Sequence, residues 1–174
     1  MKRVLLLTGQ PGAGKTAIIK QALDKTRVKA AGFYTEEIRT GRIRQGFRIV
    51  TLDGQEAILA HVGISSSHQV SKYRVDVDAL DRVGVSALRR AVQEFDLVVI
   101  DEIGKMELLS SQFREAVTHA LNSDKKVLGT IMFNPHPFAD DIKRRPEVEI
   151  LLVTRDSRID VAEKVLNWLP EEVN

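Results

Sequence analysis

The stretch GQPGAGKT at residues 9–16 constrains this chain more than any other. It matches the pattern G-x-x-x-x-G-K-[ST] in full. Before it runs VLLLT, residues 4–8, and from Ala13, in its second half, a helical pattern begins. Strand, glycine-rich turn and helix, in that order, is the context in which the pattern means phosphate binding. Gly9, Gly12 and Gly14 let the backbone turn tightly, with Gln10, Pro11 and Ala13 between them, so that successive N–H groups surround a β-phosphate. The helix presents its positive N-terminal end to the same anion. Lys15 supplies a point charge between the β- and γ-phosphates, and the Thr16 hydroxyl is placed to ligate Mg²⁺.

A second stretch, LVVIDEIGKMELL at residues 97–109, answers to the first. In a phosphate-loop protein a neighbouring strand brings a carboxylate to the magnesium at the carboxyl edge of the sheet. The apolar run ending in Asp101 fits that task. Glu102 follows at once, where a second acid can accept the proton of a water lined up against the γ-phosphate. The strand therefore ends in two acids because one holds the metal and the other handles the water.

The remaining pattern alternates. Strands are expected over 2–8, 31–38, 72–77, 96–101, 126–133 and 148–154, and helices from residue 13, over 78–95, after Ser110-Ser111 and from Ser157 until Pro170. Thr40-Gly41 and Asp53-Gly54 are turn signals that imply an antiparallel meander between 33 and 62. Residues 63–71 read as a surface loop and 136–145 as a loop or short helix. Ser157 with Asp160 resembles a capping box, and the last helix is expected to bury Ile159, Ala162, Val165, Leu166 and Leu169. Strands buried on both faces and alternating with helices imply an α/β fold: a mainly parallel sheet, helices on each side, and the meander inserted at one edge.

Bulk properties exclude several classes. The 174 residues suit one domain, 1–174, and a composition 43% hydrophobic and 29% charged is that of a globular protein. A net charge of +2 argues against an extended nucleic-acid tract or a membrane as partner. The apolar runs are short of a span, the N-terminus does not read as a signal peptide, and there is no cysteine, so a cytoplasmic location is expected. The four histidines show no ligand spacing.

GQPGAGKT, GFYTEEIR (32–39) and DEIGKME (101–107) together resemble the nucleoside-triphosphatases first described from thermophiles, which include a cancer-related human member. GFRIVTLDG (46–54), KYRVDVDAL (72–80), LGTI (128–131) and VTRDSR (153–158) are similar to that family's segments too, so the resemblance spans nearly the whole chain. It implies a compact three-layer phosphate-loop fold and Mg²⁺-dependent hydrolysis of ATP, GTP, CTP and UTP to the diphosphates; a monomer is expected. It also implies nucleotide contacts from Gly9 to Thr16 and from Asp101 and Glu102 through Ile103, Gly104, Lys105 and Met106 to Glu107. Ala17 departs from the family's pattern, which often has a second threonine there.

Hydrolysis needs a positive group on the transition state, and the choices are Arg144, Arg145, Arg155 and Arg158. The first pair falls where a lid over the phosphates is expected, and the resemblance favours Arg145 and Arg158. Lys105 either reaches the γ-phosphate or faces solvent; Glu107 either fixes Lys105 or an acceptor group or, the preferred reading, is a plain surface acid. Thr130 or Asn134 either senses the γ-phosphate or is a satisfied polar residue. Glu36 and Glu37 point to opposite faces of their strand, so at most one faces a cleft. Residues 154–156 are a base-contact region in this topology, and the absence of N-K-x-D argues against guanine specificity. Beside triphosphatase activity stand two alternatives: a kinase that uses a nucleoside, a nucleotide or an RNA or DNA end as acceptor, and a nucleotide-dependent switch.

Overall fold

The computed structural model describes residues 2–170. Their strands form a nine-stranded sheet in the order β5-β6-β4-β3-β2-β7-β8-β1-β9. Its parallel half is β2 (Ala30–Thr40), β7 (Leu97–Ile103), β8 (Lys126–Ile131), β1 (Val4–Thr8) and β9 (Val148–Leu152). These strands are apolar runs because both faces are covered. The period of two sorts their side chains: Val4, Leu6, Val98 and Ile100 enter one core, Leu5, Leu7, Leu97 and Val99 the other. The first core packs on α3 (Ser86–Glu94) and α4 (Ser111–Asn122). The second packs on α1 (Lys15–Lys25) and α6 (Arg158–Trp168). Helix, sheet and helix make the three layers expected.

The meander continues the same sheet and is not a separate insert. β2 pairs with β7 in parallel through Ala30 to Phe33, then turns antiparallel partner to β3 (Ile43–Thr51). β4 (Glu56–His61) and a small hairpin of β5 (Gln69–Val70) and β6 (Tyr73–Val75) complete it. Residues 69 and 70 were expected in a loop. Their turn uses Ser71 at φ 54°, where a glycine or asparagine would have signalled a hairpin.

The helix expected over 78–95 starts as α2 (Val77–Ala79), capped by the Asp76 carboxylate on the Ala79 N–H at 2.9 Å. A wide π turn follows (Leu80–Val85), then α3. In α4, capped by Ser110, the buried set is Phe113, Ala116, Val117, Ala120 and Leu121. α5 (Pro137–Lys143) occupies most of the stretch left open as loop or short helix.

The last helix corrects the sequence reading. Its stripe is Val161, Val165 and Trp168, with Ala162 and Leu166 half-buried beside it, while Ile159 is 81% exposed. Two residues before Val161 is 200° around the helix, so Ile159 faces the opposite way. No capping box forms: the Ser157 hydroxyl donates to the Leu152 carbonyl at 2.9 Å and leaves the helix N–H groups alone. Among the described residues no helix is long and apolar enough to cross a membrane.

Candidate active site

Strand register fixes the height of each functional group. Leu7 stands level with Thr130 and Leu151, and Thr8 with Leu152, so β1, β8 and β9 end together. The Thr8 hydroxyl ties two of these ends by donating to the Ile131 carbonyl at 2.8 Å. β7 ends beside them with an irregularity. Ile100 pairs with Gly129, but the next pair is Ile103 with Ile131, so β7 carries one residue more than β8 across that interval. Asp101 and Glu102 are the residues in the bulge. A bulge re-aims side chains at the end of a ladder, which accounts for two adjacent acids serving one site.

Into the space over these ends β1 feeds the glycine-rich loop. Gly9 packs so closely on the residue after β9 that a Cβ there would collide with the Val153 carbonyl oxygen. Gly14, at φ 97°, is the left-handed residue from which α1 starts. The ammonium of Lys15 donates to the carbonyls of Gly9 at 2.7 Å and Gln10 at 3.2 Å. Gln10, Pro11 and Gly12 face solvent, while Ala13 packs against the second core.

Asp101 is 2% exposed. Its two oxygens accept from Thr16 Oγ1 at 2.8 Å and Thr130 Oγ1 at 2.6 Å. Burial pushes its carboxyl above the usual range, and those hydroxyls, a backbone bond from Thr35 and the charge of Lys15 oppose the rise. Glu102 is half-buried. Burial and the neighbouring Asp101 raise it, and Lys15 again opposes. Thr130 is thus a satisfied polar residue and the partner that sets Asp101; Asn134 is exposed on the following loop.

Glu107 corrects its reading as a surface acid. It opens a short 3₁₀ turn (Glu107–Leu109), is 5% exposed, and is pushed well above its ordinary value by burial and by the charge of Glu102. The turn folds the chain back under Gly104: a Cβ on that glycine would meet Glu107 Oε2 at 3.0 Å and Glu102 Cδ at 3.1 Å. Sequence spacing alone gave no sign of this return. The Ile103 side chain is buried in the first core, Met106 packs against that core, and Lys105 is exposed. Glu102, Gly104, Lys105, Met106 and Glu107 together line a cavity of about 170 Å³ whose other wall is the meander.

The arginines separate. Arg158, first residue of α6, lies against the phosphate loop, its Cδ 3.0 Å from where a Cβ on Gly14 would stand. Arg145 is not at this edge. α5 runs back down the sheet, and Arg145 ends just before Val148, which pairs with Val4 at the start of β1. There it donates to Glu147 at 2.5 Å and to Asn122. Arg144, bonded to Asp141, shares that position, so the expected lid is absent from this pair. Arg155 and the base-contact residues 154–156 are exposed beyond β9. Glu36 pairs with Lys20 at 3.0 Å, and Glu37 with Arg39 and Arg44, so neither acid points into the site.

A family model described as NTPase matches residues 4–166. The nucleoside-triphosphatase THEP1 of Thermotoga maritima is 46% identical over 165 residues, covering 95% of this chain and 94% of that protein. The same protein of Methanocaldococcus jannaschii is 40% identical over 94% of this chain and 95% of its own length. Among solved structures, the crystal structure of THEP1 from the hyperthermophile Aquifex aeolicus is similar at a TM-score of 0.89 and 33% identity, covering 97% of this chain and 99% of the other. The solution structure of a human cancer-related nucleoside triphosphatase follows at a TM-score of 0.80 and 36% identity, covering 96% of each. Matched by the family model over residues 4–166 and 46% identical to a relative across 95% of its own length, this chain belongs to the NTPase family.

Proposed function

We propose that this chain hydrolyses nucleoside 5′-triphosphates (ATP, GTP, CTP and UTP) to the diphosphate and phosphate, with Mg²⁺ and with broad base tolerance. One observation carries the reading: the bulge in β7 sets Asp101 against Thr16 while leaving Glu102 beside it, within the field of Lys15. The donor set fits magnesium. Thr16 and Asp101 offer hard oxygens only, and among the described residues no group of three or more His, Cys, Asp or Glu forms a cage. Magnesium takes one or two protein oxygens and leaves its other positions to phosphates and water. When bound, the ion supplies charge neutralisation at the β- and γ-phosphate oxygens.

The chain's own groups do the rest. Loop N–H groups and Lys15 hold the phosphates, Lys15 exchanging its carbonyl partners for phosphate oxygens. Glu102 accepts the proton of the attacking water. Arg158, beside Gly14, is the arginine placed to offset charge developing on the phosphates. Base tolerance follows from an exposed 154–156 segment and the lack of N-K-x-D. Phosphate release from the four triphosphates tests this, with and without EDTA. Values of kcat/KM within about tenfold of one another, a spread under ~1.4 kcal/mol, are expected. Release that persists in EDTA, or is confined to one base, overturns the reading.

A further inference from the structure

Water as the sole nucleophile does not explain the cavity behind Glu102. Its volume is about 170 Å³. A water occupies ~30 Å³ of liquid, and a cavity of ~150 Å³ accepts a benzene ring. Phe47, Leu59, Val70 and Met106 give it apolar walls, against which water finds no hydrogen bonds but a ring compound gains from burial. Its polar end is made by the carboxyl groups of Glu102 and Glu107, which crowd the same point above Gly104. Two of its lining residues also bear on the phosphate site. Glu102 lines the cavity and feels Lys15. Thr35 also lines it and gives its backbone hydrogen bond to Asp101.

This lining selects by charge and size. A phosphate monoester would face two acids, with only the exposed Lys105 at the wall to offset them. A neutral ring meets apolar walls, and its O–H and N–H groups meet two acceptors. We propose that the cavity is a second-substrate site that takes one hydroxyl-bearing ring of a neutral molecule, whose hydroxyl takes the place of water before Glu102. The inference rests on Glu102 acting as the base of the triphosphatase reaction. The hydroxyl oxygen bonds to the γ-phosphorus, and the bond from that phosphorus to the β–γ bridging oxygen breaks. The hydroxyl proton passes to Glu102 and on to solvent. The products are a nucleoside diphosphate and a phosphate monoester, and the monoester, now anionic between two acids, is driven out.

A pyrimidine nucleoside and a monosaccharide share the required chemistry. The test therefore incubates the protein and Mg²⁺ with γ-labelled ATP in four arms: no addition, uridine, ribose, and uridine monophosphate. Labelled monoester is expected in the uridine or the ribose arm, saturating with concentration, and the arm that responds identifies the source. The monophosphate arm is expected to stay blank. Val70→Phe and Leu59→Phe, each checked for a folded thermal transition, fill the cavity and are expected to lower the ratio of transfer to hydrolysis at least tenfold. Phosphate release with no labelled monoester in either neutral arm overturns the second site and leaves the triphosphatase reading standing. Transfer unaffected by both cavity variants, or equal transfer to the monophosphate, overturns it too. Failure of phosphate release in every arm, including the one without addition, removes the reading beneath it as well.

Discussion

The two ends of the parallel sheet carry the same kinds of residue and use them in opposite ways. At the amino end, Arg3 donates to the carbonyls of Lys125 and Leu121, Arg145 to Glu147 and Asn122, and Lys126 to the Trp168 carbonyl. Each cation there completes an orphan carbonyl or an acid. Glu147 accordingly sits below its ordinary range, held there by a backbone N–H and by Arg145, with Arg3 adding. At the carboxyl end Asp101, Glu102 and Glu107 all lie above theirs, because burial, joined at the two glutamates by the charge of neighbouring acids, outweighs what opposes it. One edge has given its cations acceptors within the chain. The other keeps negative charge in surplus over its local cations, which suits a site that recruits a metal ion and a nucleophile.

The largest effect expected of that difference is at Glu102. Glu102→Gln keeps the shape and removes the base, and phosphate release should fall by about 10² to 10⁴. A smaller loss sinks the assignment of the base. The arginines divide the two edges cleanly. Arg158→Ala should slow turnover by about 10² or more, the usual cost of one donor to developing charge. A rate within a few-fold of the parent would return Arg158 to the surface. Thr130→Val removes the donor at 2.6 Å from Asp101 without changing the volume. It should weaken magnesium about 10- to 100-fold, as loss of a supporting partner does, read as the Mg²⁺ concentration giving half-maximal rate. Arg145→Ala should leave that rate alone and cost about 1 kcal/mol of stability, or ~2–4 °C in Tm for a chain of this size. A catalytic defect in Arg145→Ala without a stability loss would reverse the comparison.

What was legible in the sequence follows from the range of the signals. The phosphate loop and the acids at 101 and 102 are local patterns whose neighbours in sequence are their neighbours in function. The positions of α1 and α4 follow from local helical pattern. Periodicity, however, reports the face a residue occupies and says nothing of its height along the sheet. Arg145 was misplaced for that reason: seven helical residues carry the chain from the end of β8 back to the start of β9. Glu107 was misread because a single 3₁₀ turn, too short for any period, folds it under Gly104. The bulge that lets Asp101 and Glu102 share a site depends on how β7 pairs with β8, which no local pattern in either strand encodes.

The smallest of these effects concerns Glu107, and it isolates the negative surplus at the carboxyl edge. Burial and the charge of Glu102 hold its carboxyl well above 4.5. A group whose folded-state pKa is raised binds its proton more tightly folded than unfolded. Its contribution to stability is therefore complete below about pH 4.5 and is lost as pH rises through the folded value. Glutamine at this position keeps the shape of the protonated acid and cannot ionise. In EDTA and without nucleotide, Glu107→Gln should melt close to the parent at pH 4.5 and increasingly above it as pH rises. The gap should level off once the parent's acid has ionised. Because the charge of Glu102 acts on Glu107, the rise is expected to spread over a wider interval than one independent group would give. The matching experiment at the other edge has the opposite sign. Glu147 is held low, so its stabilisation is present above about pH 4.5 and lost as pH falls, and Glu147→Gln should melt below the parent at neutral pH and approach it in acid. Parallel melting curves for Glu107→Gln and its parent would mean that the acid keeps a water-like environment, and the surplus of charge would then reduce to Asp101 and Glu102.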